Sequence, residues 1–320
     1  MAVRPRALVL RALGLGDLLT AVPALRGIRR ALPDHEVVLA APGSLRPLVD
    51  LVDAVDVLLP TDELAPVPWP GPPPEVAVDL HGCGPQSHRL LAQLHPGRLV
   101  GFACPGAGVD GPVHDPEEHE VRRWCRLVAE SFGVDVDPTD LALATPPAPS
   151  PAPGAVVVHV GAASPARRWP AERFAAVAAW CLPQEVPVAV TGGLDDREAA
   201  LLVVQRAGLP PESCWAGRTD LGQLAALVAG ARLVVAGDTG VSHLATAYRR
   251  PSVTLFGPVA PAQWGPPDDP LHVVVTRGAG GGDPHGETVD PALSRITVGD
   301  VLTPVRSLLA DTTPDELVPV

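Results

Sequence analysis

The feature that most constrains the fold is a repeated alternation. A short apolar run rich in Val, Leu and Ala is followed by a turn bearing Gly or a polar residue, then by a helix-length stretch with apolar positions three and four apart. The first instance, RALVLRALGLGDLLTAVPALRGIRRALPDHEVVLAA, predicts a strand over 6–12, a helix over 16–32 and a second strand over 35–40. Two parallel strands need a crossover of about this length, so the segment is one βαβ unit. Continuing the pattern predicts strands over 54–59, 75–80 and 97–102 and helices near 45–51, 85–95 and 116–133. Between 60 and 74, PTDELAPVPWPGPPP is loop, because proline lacks the donor that a helix or a sheet interior needs.

A second Pro-rich stretch, TPPAPSPAPG at 145–154, neither continues a helix nor joins a sheet. It is expected to be a linker, because the alternation then restarts. Strands are predicted over 155–160, 186–191, 213–216, 232–237 and 251–256, and helices over 171–182, 195–207, 220–230 and 240–249. The Gly-rich segment 277–290 reads as a surface loop, and a last helix is expected over 298–310. A chain of 320 residues is long for one core. The expectation is an α/β protein of two doubly wound domains, 1–148 and 155–320, with a crevice at the carboxyl ends of the two sheets, where ligands bind in open α/β folds.

Charge narrows the choice of ligand. The formal net charge is −12, and all 24 basic residues are Arg. Nucleic acid is therefore not an expected partner, and any phosphate-bearing ligand must be held by local Arg side chains and helix N-termini against a repulsive overall field. No apolar run is long enough to span a bilayer, and the start of the sequence lacks the pattern of a secretory signal, so a cytoplasmic location is expected. The five cysteines (Cys83, Cys104, Cys125, Cys181 and Cys214) show no C-x-x-C spacing. They read as small apolar residues rather than as a disulfide framework or zinc site, and no metal is expected.

Chemistry should lie in the loops that follow the strands. In GLGD, Gly14 and Gly16 are expected to permit positive φ and close backbone approach, and Asp17 at the helix start is either a helix cap or a catalytic base. Leu19 stands where a dinucleotide fingerprint would have its third Gly. In HVGAASPARRWPAERF, small residues including Ser164 are followed by Arg167 and Arg168, whose planar forks suit phosphate oxygens. In TGGLDDRE, Gly193 opens a helix whose first turn holds Asp196 and Glu198; these serve the helix dipole or accept the hydroxyls of a ribose. In GDTGVSHLATAYRRPSVTLFGP, Asp238, Thr239 and Gly240 form a turn ahead of a small-residue helix carrying His243, with free N–H groups suited to a diphosphate. The loop FGPVAPAQWGP, with Trp264, is expected to wall that site.

Taken in order, GLGDLLTAVPALRGIRRALP, VAVDLHG, LVGF, HVGAASPARRWPAERFAAVA, VTGG, GDTGVSHLATAYRRPSVTLFGP and QWGPP resemble glycosyltransferase family 9, the ADP-heptose:lipopolysaccharide heptosyltransferases. The resemblance runs from about residue 6 to 310. It implies a GT-B fold of two Rossmann-like domains, with acceptor on the first and nucleotide-sugar donor on the second, and inverting transfer without a metal or other cofactor. By the motif match Asp17 aligns with the family's proposed base, Arg167 and Ser164 with the donor phosphate loop, and Asp238, Thr239 and Gly240 with the turn that holds donor sugar and diphosphate. Arg167 stands where the family commonly has Lys. The ribose carboxylate is offered by Asp196 or Glu198 at shifted positions, and the N-terminal half lacks a Lys-rich surface for a phosphorylated lipid core. The acceptor thus stays open between a glycan, a lipid-linked and a small-molecule hydroxyl, with peripheral membrane contact compatible. Two other readings remain at this point: a transferase using a UDP- or GDP-sugar, and a non-catalytic nucleotide-binding protein of the same fold.

Overall fold

The computed structural model describes residues 4–311. The first domain expected from residue 1 and the second expected to residue 320 therefore reach, at 1–3 and 312–320, outside the described residues. The chain divides into two units between Ala144 and Thr145.

The first unit contains β1 (Arg6–Leu10), α1 (Leu15–Thr20), α2 (Val22–Ala31), β2 (Glu36–Ala41), α3 (Arg46–Val49), β3 (Val57–Pro60), β4 (Val76–Asp79), α4 (Gln86–Ala92), β5 (Arg98–Val100) and α5 (Glu120–Phe132). The strands form one parallel sheet in the order β3-β2-β1-β4-β5. Its strands are apolar on both sides, as a parallel sheet covered on both faces requires. Leu8, Leu10, Val38, Ala40 and Ala77 pack on one face with Leu91 of α4 and with Val67 and Trp69 of the Pro-rich loop. The alternate residues Ala7, Val9, Val37 and Leu39 are fully buried as well. Helices α2 and α5 pack together where Gly27 leaves room, since a Cβ there would lie 2.7 Å from Val136 Cγ2 and 3.1 Å from Val128 Cγ1. The single helix expected over 16–32 is two. Pro23 lacks an N–H and its ring opposes the carbonyl four residues earlier, so the chain re-enters helix after Ala21.

The second unit contains β6 (Val156–His159), α6 (Ala171–Cys181), β7 (Val188–Thr191), α7 (Arg197–Ala207), α8 (Leu221–Ala229), β8 (Leu233–Gly237), α9 (Gly240–Ala247), β9 (Ser252–Phe256), α10 (Pro261–Trp264), β10 (His272–Thr276), α11 (Pro291–Arg295) and α12 (Val298–Asp311). These strands too form one parallel sheet, in the order β10-β9-β8-β6-β7. Its larger core joins Val156, Val158, Leu233, Val235, Val253 and Leu255 to apolar side chains of α6, α7 and α12. Residues 145–154 group with this unit, and Gly154 N donates to Gly230 O at 2.8 Å. The strand expected over 213–216 is absent. Pro210 and Pro211 bring no N–H to a ladder, Pro211–Ser213 forms a 3-10 turn, and only Cys214 bridges to Val190. The edge strand β10, by contrast, had no counterpart among the expected elements.

Each sheet reverses its order once, between β1 and β4 in the first unit and between β6 and β8 in the second. The loops leaving such a pair of strands diverge at their carboxyl ends and leave a crevice at the switch point. Among the described residues, no helix is long and apolar enough to cross a membrane.

Candidate active site

In the first unit, Asp17 sits at the switch point between β1 and β4. Gly14 caps α1 with φ −76° and ψ −174°, and Gly16 lies within the helix. The positive φ expected of both glycines is not present, because the chain passes from extended backbone directly into a helix and needs no left-handed residue. Asp17 occupies the third helical position, and its Oδ2 accepts a hydrogen bond from Gly14 N at 3.2 Å. The carboxylate keeps 27% of its surface exposed.

Beneath it lies Arg11, buried at the end of an apolar strand. Its Nε donates to Asp17 O at 3.0 Å, and its Nη2 lies 3.4 Å from Asp17 Oδ1 and 2.8 Å from Glu120 Oε1. Burial raises the Asp17 carboxyl above its ordinary range; Arg11 works against that shift and Glu120 adds to it. From the loop after β4 comes His81, whose N–H donates to Asp79 Oδ1 at 2.8 Å. Its imidazole is lowered by burial and by Arg11, while Asp79 and Asp17 act to raise it. Asp79 and His88, both fully buried and 2.8 Å apart, anchor this loop.

In the second unit, the loops after β6 and β8 meet at the other switch point. Arg167 Nη2 donates to Asp238 Oδ2 at 2.7 Å and also to the Asp238 carbonyl. Asp238 is raised by burial and pulled back by Arg167. Three buried polar atoms of this corner have no hydrogen-bond partner: Arg167 Nε, Asp238 Oδ1 and Thr239 Oγ1. Buried polar atoms are nearly always paired, so three unpaired ones at one corner are an unusual feature of this loop pair. Thr239 is the N-cap of α9 but makes no side-chain cap bond, and Gly240 begins the helix. His243, in the first turn, meets the Trp264 ring edge to face with centroids 6.2 Å apart.

The remaining candidates have protein partners. Ser164 Oγ donates to Pro284 O at 2.5 Å, which ties the loop after β6 to the Gly-rich segment. Ala166 N reinforces that tie by donating to Gly286 O at 3.1 Å. Arg168 pairs with Asp196 at 3.1 Å and donates to Ala162 O. Asp196 Oδ2 accepts from Gly193 N at 2.9 Å, while Glu198 is exposed in the first turn of α7. Beneath this loop His159, bonded to Thr191 Oγ1 at 3.0 Å, is driven by burial down to about 4 and stays neutral at ordinary pH. Among the described residues, no three His, Cys, Asp or Glu side chains are grouped to hold a metal ion.

Residues 109–280 match the family model described as Glycosyltransferase family 9 (heptosyltransferase), which is more than half of the chain. The chain belongs to glycosyltransferase family 9. The matched stretch of this family 9 member includes Glu120, Arg167, Asp238 and Thr239, whereas Asp17 lies before it. Among curated relatives, the Lipooligosaccharide heptosyltransferase 2 of Haemophilus ducreyi is 30% identical over 161 residues, 48% of this chain and 42% of that protein. The Lipopolysaccharide heptosyltransferase 2 of Escherichia coli is 33% identical over 101 residues, 30% of this chain and 29% of that protein. The matches thus span less than half the length of these relatives. Among solved structures, the family 9 glycosyl transferase from Veillonella parvula superposes with a TM-score of 0.78 at 19% identity, covering 96% of this chain and 98% of that one. The E. coli ADP-heptose lps heptosyltransferase II superposes with a TM-score of 0.76 at 22% identity, covering 95% and 98%. With these structures the family 9 chain shares the GT-B class of two Rossmann-like α/β units.

Proposed function

We propose that the protein transfers a sugar from a nucleoside diphosphate sugar, ADP-heptose, to an acceptor hydroxyl with inversion and without a metal. The observation that carries the reading is the corner formed by Arg167, Asp238 and Thr239, where buried polar atoms without partners surround the start of α9. The similar proteins support this donor, since heptosyltransferases are among them and one of the similar structures holds ADP.

Asp17 takes the proton of the acceptor hydroxyl. The freed oxygen attacks the anomeric carbon on the face opposite the diphosphate; the new C–O bond forms as the bond to the phosphate oxygen breaks. Arg167 and the N-terminal end of α9 stabilise the negative charge that develops on the departing ADP. Burial equips Asp17 for this role by making its carboxylate a better proton acceptor than an exposed one. Asp196, joined to Arg168, offers a carboxylate edge to the donor ribose.

The deciding experiment measures transfer and thermal stabilisation with ADP-, UDP- and GDP-sugars in parallel. A donor product that binds the folded chain raises its melting temperature by mass action. Transfer from ADP-heptose alone supports the reading; transfer from a UDP- or GDP-sugar replaces the donor; absence of turnover with all three leaves a nucleotide-binding protein.

A further inference from the structure

A charged side chain without solvent access at the end of an apolar strand is costly to keep. Arg11 is 1% exposed. Replacing a buried ion pair by apolar side chains is often neutral or stabilising, so the pair between Arg11 and Glu120 calls for a reason other than stability. Its geometry supplies one. Arg11 Nε holds the main-chain carbonyl of Asp17 at 3.0 Å, and Nη2 reaches Asp17 Oδ1 at 3.4 Å and Thr20 Oγ1 at 3.3 Å. The far side of the guanidinium is fixed from two other elements. Nη1 donates to Leu80 O beyond β4, and Nη2 lies 2.8 Å from Glu120 Oε1 of α5. Glu120 is held in turn by Trp124 Nε1 at 2.7 Å and by Arg123, and the Trp124 ring lies 4.7 Å from the Arg11 guanidinium carbon.

The distances divide the guanidinium unequally. The shorter ionic contact belongs to Glu120 and the longer to Asp17. Were Asp17 the sole partner of Arg11, it would be a tightly paired carboxylate and a poor base. We propose that Glu120 is a positioning residue: by taking Arg11 as its own ion partner, it lets the guanidinium fix the place of Asp17 while leaving that carboxylate free to accept a proton. This rests on the reading of Asp17 as the base. Every charged or titratable group facing Asp17 fits the arrangement. Arg11 from the end of β1 favours the carboxylate, Glu120 from α5 disfavours it, and His81 from the loop after β4 is itself lowered by burial. Arg123 of α5 meets Asp17 only through Glu120.

The test is Glu120→Gln in the full chain, read by ADP release from ADP-heptose as a function of pH, by calorimetric affinity for ADP, and by carbon-13 titration of the Asp17 carboxyl. Loss of the Glu120 charge leaves Arg11 with Asp17 alone. The expected result is a fall in kcat of about tenfold, a shift of the acid limb and of the Asp17 titration to lower pH, and unchanged ADP affinity. A folded variant with wild-type kcat, or one that loses rate with no movement of the limb or the titration, overturns the proposal. Should Glu120→Gln not fold, Trp124→Phe removes only the indole donor to Glu120. It should lower kcat several-fold with ADP affinity intact, and wild-type kcat there overturns the proposal equally. Asp17→Asn separates the two readings: if it retains turnover, the assignment of the base has failed, whatever Glu120 does.

Discussion

Replacing Arg167 by Met tests the donor corner and its electrostatics in one variant. Arg167 is 24% exposed and its partner Asp238 is 6% exposed, so the substitution strands a carboxylate that is almost wholly removed from water. Removing one partner of a fully buried pair costs roughly 3–5 kcal/mol; partial exposure of Arg167 reduces this to about 2–4 kcal/mol at neutral pH. The cost should depend on pH in a definite direction. Burial already raises Asp238 above its ordinary 3.8, and Arg167 is what pulls it back, so without Arg167 the folded-state value rises further. The folded variant then binds a proton more tightly than the unfolded chain, and its stability falls as pH rises through that value. Relative to the parent, the deficit is full near neutrality and shrinks toward zero in acid, where Asp238 is protonated in both states.

Binding should suffer separately. A charge-assisted hydrogen bond to a diphosphate contributes about 1.5–3 kcal/mol, equivalent to roughly 10- to 100-fold in the Kd for ADP. Calorimetry with ADP and thermal unfolding at acid and neutral pH read the two effects independently. The double variant Arg167→Met with Asp238→Asn should recover stability without recovering affinity. Unchanged ADP affinity in a folded Arg167→Met would remove this residue from the donor site, and an equal stability loss at both pH values would refute the stranded-carboxylate argument.

Asp17→Asn should keep ADP affinity and lose turnover by about 10²–10⁴-fold, which stopped-assay kinetics beside calorimetry would show. The acid limb of kcat/KM in the parent should lie above the ordinary aspartate value of 3.8, because burial opposes the ion, with activity lost as pH falls through the raised value; a limb at or below 3.8 contradicts the assignment. Thr239→Val removes a buried hydroxyl without a partner, so the folded chain should be unchanged or more stable by about 1 kcal/mol in denaturant titration while donor affinity falls; lower stability would show that the hydroxyl is satisfied in the free protein.

The alternation of apolar runs and helical stretches made both parallel sheets legible, because strands covered on two faces leave near-continuous apolar runs. Where the reading failed, a local signal was weak or a proline acted. The strand β10 sits at a sheet edge with intermediate burial, so the three valines in HVVVT followed a Pro- and Asp-rich segment with no flanking helical pattern to frame them. The sequence puts Arg167 on a loop after one strand and Asp238 at the carboxyl end of another, and the structure joins them across 71 positions. Arg11, Glu120 and His81 belong to none of the loop motifs that the sequence marks out. For Arg11 the signal was present, an isolated charge within RALVLRALGLGD that had to find a buried partner. That the partner is Glu120, 109 positions away, is a property of how α5 packs and is not written in any local pattern.

The tie between Ser164 and Pro284 also changes what the Gly-rich segment is. Its length is pinned on one side by the bonds to Ser164 and Ala166 and on the other by Asp290, whose N–H returns to Ala166 O at 3.1 Å. A deletion there would tug on the stretch that presents Arg167, and loss of the residue 164 hydroxyl would slacken it. These two distant pieces of chain behave as a buckle, and drift in one is tolerated only when the other gives by the same amount.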